Sequence, residues 1–337
     1  MAHSIKNKPG ALRWGGLAAL VLLMAFFLQG TSVQSPVPLA SYSPTAIPAA
    51  TPAPTPMPTP APTQAASSGV ILLSDRDAAP NALPTALPTT SPAPEEPTWT
   101  YEDERISVNV AQHSRDDYVY FVADIQLTDA SQLAYAFAGE RYGSATEPLS
   151  DIAQRHSPVL AINGDYYSFH NNGIIIRGGE LFRSKNSTRA LLIVENDGDL
   201  RVMTDRSEAQ SRVANRLMDE GVLHTFEFGP VLVHNGEGIS LKSSILRVGN
   251  EYLEPRTAIG QIGPLHYLVI VVDGRSEGYS EGCSLSDLRA LFVEYGAQVA
   301  FNLDGGGSTT LWFDGEVINR PAAGEEREVS DIVMFMP

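Results

Sequence analysis

Two runs, YLVIVV at 267–272 and VAFNL at 299–303, constrain the fold more than any other feature of this chain. Strands with so few polar positions are covered on both faces. Between them Leu285, Leu288, Leu291, Phe292 and Tyr295 recur at helical spacing. Ser284 and Asp287 supply a capping box in front of them, and Gly296 closes the end. Strand, helix and strand in succession predict a βαβ unit with parallel strands and a right-handed crossover. Asp273 and Asp304 then fall at the C-terminal ends of those strands, the edge at which open α/β sheets bind ligands.

An earlier segment, LSDIAQRHSPVLAINGDYY, repeats this order with a short helix from Ser150, a strand over 159–162 and the turn Asn163-Gly164-Asp165. ISVNVAQH and DDYVYFVADIQL alternate apolar and polar residues around a turn at 114–117, and RALLIVE, DLRVMT, PVLVHNG and TAIGQI read as further strands. The expected fold class is α/β in the mixed α+β sense: a multi-stranded mixed sheet with flanking helices and a βαβ unit near the C-terminus. Three strands end in NGD, DGR and DGGG, and these turns are expected to converge on one rim.

The remainder of the chain is of another kind. Lys6, Lys8 and Arg13 precede an uncharged run over 14–30, which reads as a retained membrane anchor more than a cleaved signal, with the following domain outside. Residues 31–98 are rich in Pro, Thr, Ala and Ser and are expected to form a spacer, which at ~3.1 Å per residue reaches up to roughly 200 Å. Its apolar island at 70–73 is taken as incidental. A single α/β domain is expected over 99–337. From Glu95 onward 37 Asp+Glu stand against 19 Lys+Arg, which disfavours nucleic acid or anionic lipid as a broad-surface partner and leaves room for a small anion held by local arginines. Cys283 is the only cysteine, so no internal disulfide supports the domain.

The stretch NLDGGGSTT combines a carboxylate, Asp304, with a glycine platform suited to a tight turn or a close approach, and its amides and hydroxyls suit an anion. Gly278-Tyr279-Ser280-Glu281-Gly282 matches the nucleophile-elbow pattern, but Ser280 lies seven residues beyond Asp273 and no histidine follows it. No cofactor is expected. Asp165, Asp273 and Asp304 have the oxygen chemistry for Ca²⁺ or Mg²⁺ if they converge, whereas Arg275 in one of the turns and the absence of calcium-loop spacing weigh against it. Arg256 in EPRTAIG has the guanidinium fork to grip a phosphate, with a salt bridge to Glu254 as the structural alternative. Tyr166 suits stacking on a sugar ring or core packing.

AINGDYY, PRTAIG, VVDGR and NLDGGGST, in this order, resemble the phosphodiester glycosidase domain family over about residues 105–337. The resemblance implies hydrolysis of a sugar 1-phosphodiester to free sugar and a phosphomonoester, on envelope or extracellular glycans. It places Asn163, Arg256, Asp273 and Asp304 in the site and makes the glycine loop part of its wall. Asp165, Tyr166, Arg275, Gly305, Gly306, Gly307, Ser308 and Thr309 are expected to line the substrate. Asp165 departs from those members that carry glycine there, which detaches it from any family-wide catalytic role. Asp304 is expected as nucleophile or base beside an oxocarbenium-like transition state, with Asp273 as its partner or an orienting group and the loop amides facing the phosphate. The alternatives are a hydrolase or transferase acting on ordinary glycosidic bonds of wall polymers and a non-catalytic glycan-binding module. Expected partners are the glycan or sugar-phosphate substrate and the membrane; oligomeric state is unspecified.

Overall fold

The computed structural model describes residues 97–241 and 251–337. The anchor over 1–30, the 70–73 island and all but the end of the spacer lie outside the described residues, as does the whole first compact unit, Met1–Pro84. Within the second unit, Thr85–Pro337, the first described strand is Thr98–Glu102. Among the described residues no helix is long and apolar enough to cross a membrane.

The largest sheet has eight strands in the order Thr98–Glu102, Ile106–Arg115, Tyr118–Leu127, His266–Val272, Arg256–Gly263, Val299–Asn302, Val231–His234 and Glu237–Gly238, with every neighbouring pair antiparallel. The expected βαβ unit is therefore split. His266–Val272 and Val299–Asn302 do run the same way and the helix between them, Leu285–Glu294, is present with its Ser284–Asp287 capping box. Arg256–Gly263 lies between the two strands and is antiparallel to both, so they never pair with each other.

Double-sided burial, not parallel pairing, explains the apolar runs. Successive residues of a strand face opposite sides. Leu268, Ile270 and Val272 pack with Leu285, Leu288, Leu291 and Phe292 of the helix, whereas Tyr267, Val269 and Val271 face a core shared with a second sheet. That second sheet has five strands, ordered Glu316–Val317, Leu311–Phe313, Leu160–Asn163, Asp331–Phe335 and Leu133–Phe137, again antiparallel throughout. Leu160, Ile162, Val333 and Phe335 enter the shared core; Ala161, Ile332 and Met334 on the other face pack with helix Leu149–His156. The result is helix, sheet, sheet, helix, an α+β arrangement.

A satellite core of Ile174, Ile176, Leu191, Ile193, Val213 and Leu217 joins the hairpin of Gly173–Arg177 and Glu180–Lys185, the three-stranded sheet around Leu191–Val194 and helix Gln210–Asp219. Arg177, 0% exposed, ties this part to the five-stranded sheet: its Nε and Nη2 donate to Asp331 Oδ2 at 2.9 and 2.7 Å, and Nη2 reaches Asp165 Oδ2 at 3.3 Å.

Candidate active site

The turns NGD and DGGG end strands of different sheets, and Asn163 joins them. Its Nδ2 donates to Asp304 O at 2.7 Å and its Oδ1 accepts from Thr257 Oγ1 at 2.8 Å, while the chain on either side is drawn in by a long bond from Asp304 N to Gly164 O at 3.4 Å. Asn163 is 1% exposed, so it positions the loop rather than meeting a ligand.

The glycines are required by close neighbours. A Cβ on Gly305 would stand 2.8 Å from Pro255 O, the same carbonyl that accepts from Gly306 N at 2.9 Å. Gly306 has φ +61°, in the left-handed region, and a Cβ there would lie 2.9 Å from Arg275 Nη2. A Cβ on Gly307 would meet Arg327 Cδ at 3.3 Å. The DGR turn thus reaches the glycine loop through Arg275, and the three turns do converge.

The loop amides do not form the expected cradle. Gly305 N donates to Asp304 Oδ1, Gly306 N to Pro255 O, Ser308 N to Gly305 O and Thr309 N to Gly306 O, which leaves only Gly307 N uncommitted over 305–309 among the described residues. Ser308 and Thr309 are buried, at 2% and 1% exposure.

The three turn carboxylates have separate fates. Asp273 is 1% exposed and accepts from Asn319 Nδ2 at 2.8 Å, Tyr279 OH at 2.9 Å and Arg320 N at 3.0 and 3.2 Å. Burial raises its pKa against the pull of those donors. With both oxygens engaged it is an orienting group that fixes the end of its strand to the 319–320 segment. Asp165, 2% exposed, accepts from Tyr167 N, Glu227 N and Arg177 Nη2, and holds the NGD turn on the satellite rather than presenting an oxygen to substrate. Asp304 alone of the three keeps some exposure, 14% of its side chain. Burial raises its pKa, while the Ser308 hydroxyl, Arg327 and the Gly305 amide lower it. The three carboxylates do not gather round one point, and among the described residues no group of three or more His, Cys, Asp or Glu could hold a metal.

Arg256 is 6% exposed and its guanidinium is turned to backbone carbonyls, Nε to Cys283 O at 3.1 Å and Nη2 to Tyr252 O at 2.8 Å. Glu254 instead pairs with Arg275, whose Nε lies 2.6 Å from Glu254 Oε2. The cation on Asp304 is Arg327, with Nη2 3.1 Å from Oδ2 and Nε donating to Ser308 Oγ at 3.0 Å. Sequence reading missed Arg327; the only sign of it was a lone cation inside GEEREVS. Tyr166 borders the same region: its ring meets His170 and Phe228 edge-on at 4.7 and 5.1 Å, with the Arg189 guanidinium 5.0 Å from its centroid. Burial raises its phenol pKa, and the Asp304 charge adds to that rise.

The competing nucleophiles drop out. Ser280, 1% exposed, donates to Asp273 O at 2.6 Å and accepts from Val119 N, so its hydroxyl is a structural tie. Cys283 is fully buried, which pushes its thiol pKa up to about 12 and leaves it unreactive.

The described residues thus set a part-exposed carboxylate on a glycine loop, with arginines beside it, between the two sheets of an α+β fold. The family model for phosphodiester glycosidases matches residues 156–336, and the chain belongs to that family. The catalytic domain of zebrafish N-acetylglucosamine-1-phosphodiester alpha-N-acetylglucosaminidase, auto-inhibited by its pro-peptide, superposes with a TM-score of 0.59 at 17% identity, covering 72% of this chain and 88% of that one. A hypothetical protein from Synechocystis shares the fold with a TM-score of 0.50 at 14% identity, over 72% of this chain and 64% of that one. The SPbeta prophage-derived protein YomE of Bacillus subtilis (strain 168) is 30% identical over 191 residues, 55% of this chain; the match spans 29% of that relative's length.

Proposed function

We propose that the domain hydrolyses a sugar 1-phosphodiester, releasing free sugar and a phosphomonoester, and that Asp304 acts at C1 as nucleophile or as base for water. The observation that carries this reading is the placement of Asp304 on the glycine loop, part exposed, with Arg327 against its oxygen and Arg275 over Gly306. The bond between C1 and the bridging oxygen breaks, its electron pair leaves with the phosphate, and positive charge develops at the sugar beside the carboxylate. A phosphate monoester leaves without a strong acid to protonate it, which suits a site whose other strand-end carboxylate, Asp273, is locked in four hydrogen bonds. The anchor and spacer read from the sequence would hold this domain outside the membrane, facing envelope or extracellular glycans.

The test offers the full chain UDP-N-acetylglucosamine and a simple sugar 1-phosphodiester beside an aryl glycoside. Release of free sugar from the diesters, reduced by about 10³-fold or more in Asp304→Asn with the melting temperature retained, is expected. Turnover of the aryl glycoside alone would replace this reading with ordinary glycoside hydrolysis, and no turnover of either would favour a binding module.

A further inference from the structure

We propose that Arg327 is the anion-binding residue of this site, and that it exchanges its bond to Asp304 for one to the substrate's phosphate. The inference rests on the reading of the substrate as a sugar 1-phosphodiester. Three arginines surround the glycine loop, but they are not equally available. Arg256 is 6% exposed and spends two nitrogens on backbone carbonyls, and Arg275 is held at 2.6 Å by Glu254. Arg327 is exposed to much the same degree as Arg275, 53% against 50%, but it is the one whose Nη2 bonds Asp304 itself. With four of the five loop amides over 305–309 already bonded inside the protein, the charge on an incoming phosphate has to be met mainly by side chains.

The Nε bond of Arg327 to Ser308 Oγ at 3.0 Å holds the guanidinium in place, and the exchange gives up the Nη2 bonds, which go to Asp304 Oδ2, Ser308 Oγ and, at 3.4 Å, Gly305 O. The Arg327 stem lies against Gly307, where any side chain would crowd Cδ. The acids that flank it in sequence face away to other partners: Glu326 Oε2 accepts from Ser150 N at 3.0 Å and Glu328 Oε2 from Thr146 Oγ1 at 2.6 Å. Arg327 is the exposed member of this pair, 53% against 14% for Asp304, so an incoming phosphate meets the guanidinium first and offers the planar fork two oxygens at once. The exchange frees Asp304 Oδ2 at the moment the sugar is seated. It also lets one carboxylate stay covered in the empty site and bare in the filled one.

The experiment uses the full chain with inorganic phosphate as the probe, and compares the wild type with Arg327→Gln, Arg327→Lys and, on an exposed position of helix Gln210–Asp219, Arg212→Gln. Millimolar phosphate is expected to raise the melting temperature of the wild type and of Arg212→Gln, to leave Arg327→Gln unmoved and to act partly on Arg327→Lys. With a sugar 1-phosphodiester, Arg327→Gln is expected to raise KM about tenfold or more, the loss of one charge-assisted bond, with Lys recovering part of it. Equal phosphate stabilisation of the wild type and Arg327→Gln, no stabilisation of the wild type, or an unchanged KM overturns the proposal. A wild type that is stabilised through Arg327 yet turns over no diester supports the anion site and instead defeats the reading of the reaction.

Discussion

Replacing Arg177 by Met removes the cation on which the NGD turn, the last strand and the satellite all converge. Its guanidinium donates to Asp331 Oδ2 twice, to Asp165 Oδ2, to Ile176 O and to Thr225 O, and sits 4.0 Å from the Phe226 ring centroid, with no exposure. Methionine fills much of the stem's volume but leaves two buried carboxylates without a counterion. Breaking a buried pair in this way costs about 3–5 kcal/mol. In a domain of this size that lowers the melting temperature by about 6–20 °C. Burial and the Asp165 charge push the Asp331 carboxyl up to about 7 even with Arg177 present. Its folded-state pKa is thus above the unfolded value of about 3.9, so its contribution is present at low pH and is lost as pH rises through 7. Without Arg177 that pKa rises further, so the deficit of the variant must be larger at pH 8 than at pH 5. Calorimetry of the wild type and Arg177→Met at the two pH values measures both quantities. A deficit below about 1 kcal/mol, the range of an exposed pair, or one that does not grow with pH, would refute the assignment of this cluster as a charged, buried tie.

Gly305→Ala puts a methyl 2.8 Å from the Pro255 carbonyl that anchors the loop, so a stability loss of about 1–3 kcal/mol and a larger proportional loss of turnover are expected; wild-type kinetics would show that the loop has no fixed position. Ser280→Ala removes two hydrogen bonds and should cost about 1–3 kcal/mol by thermal denaturation while retaining turnover; loss of activity in a folded variant would reinstate the serine as a nucleophile. Burial raises the Asp304 pKa and Arg327 lowers it, and the ionised form is the reactive one. The acid limb of the rate should therefore stand above the ordinary carboxylate value of about 3.9 and move to higher pH in Arg327→Gln; a limb that moves down or stays fixed contradicts the role of Asp304.

Local chemistry was legible in the sequence wherever one short segment settles it. The capping box at Ser284 and Asp287 set the start of its helix, and the apolar runs marked strands buried on both faces. The site was legible in part. Asp304 and its glycines were found because a carboxylate on three glycines is rare as packing. Asp273, Asp165 and Arg256 carry the same residue types, and nothing in their spacing says that Tyr279, Asn319, Arg177 or the carbonyls of Tyr252 and Cys283 are waiting for them.

What the sequence determined by itself is therefore the set of elements, the turns that end them and the one carboxylate placed where packing does not want it. Tertiary structure decided the rest, because a hydrogen bond between residues 46 or 154 positions apart leaves no trace in either segment alone. It inserted Arg256–Gly263 between two strands that read as a parallel pair, buried two of the three turn carboxylates, and brought Arg327 from a loop 23 residues away to the third. The physical reason is the same in each case: burial and pairing are properties of the surroundings of a side chain, and the chain fixes those surroundings only once its sheets have closed on each other.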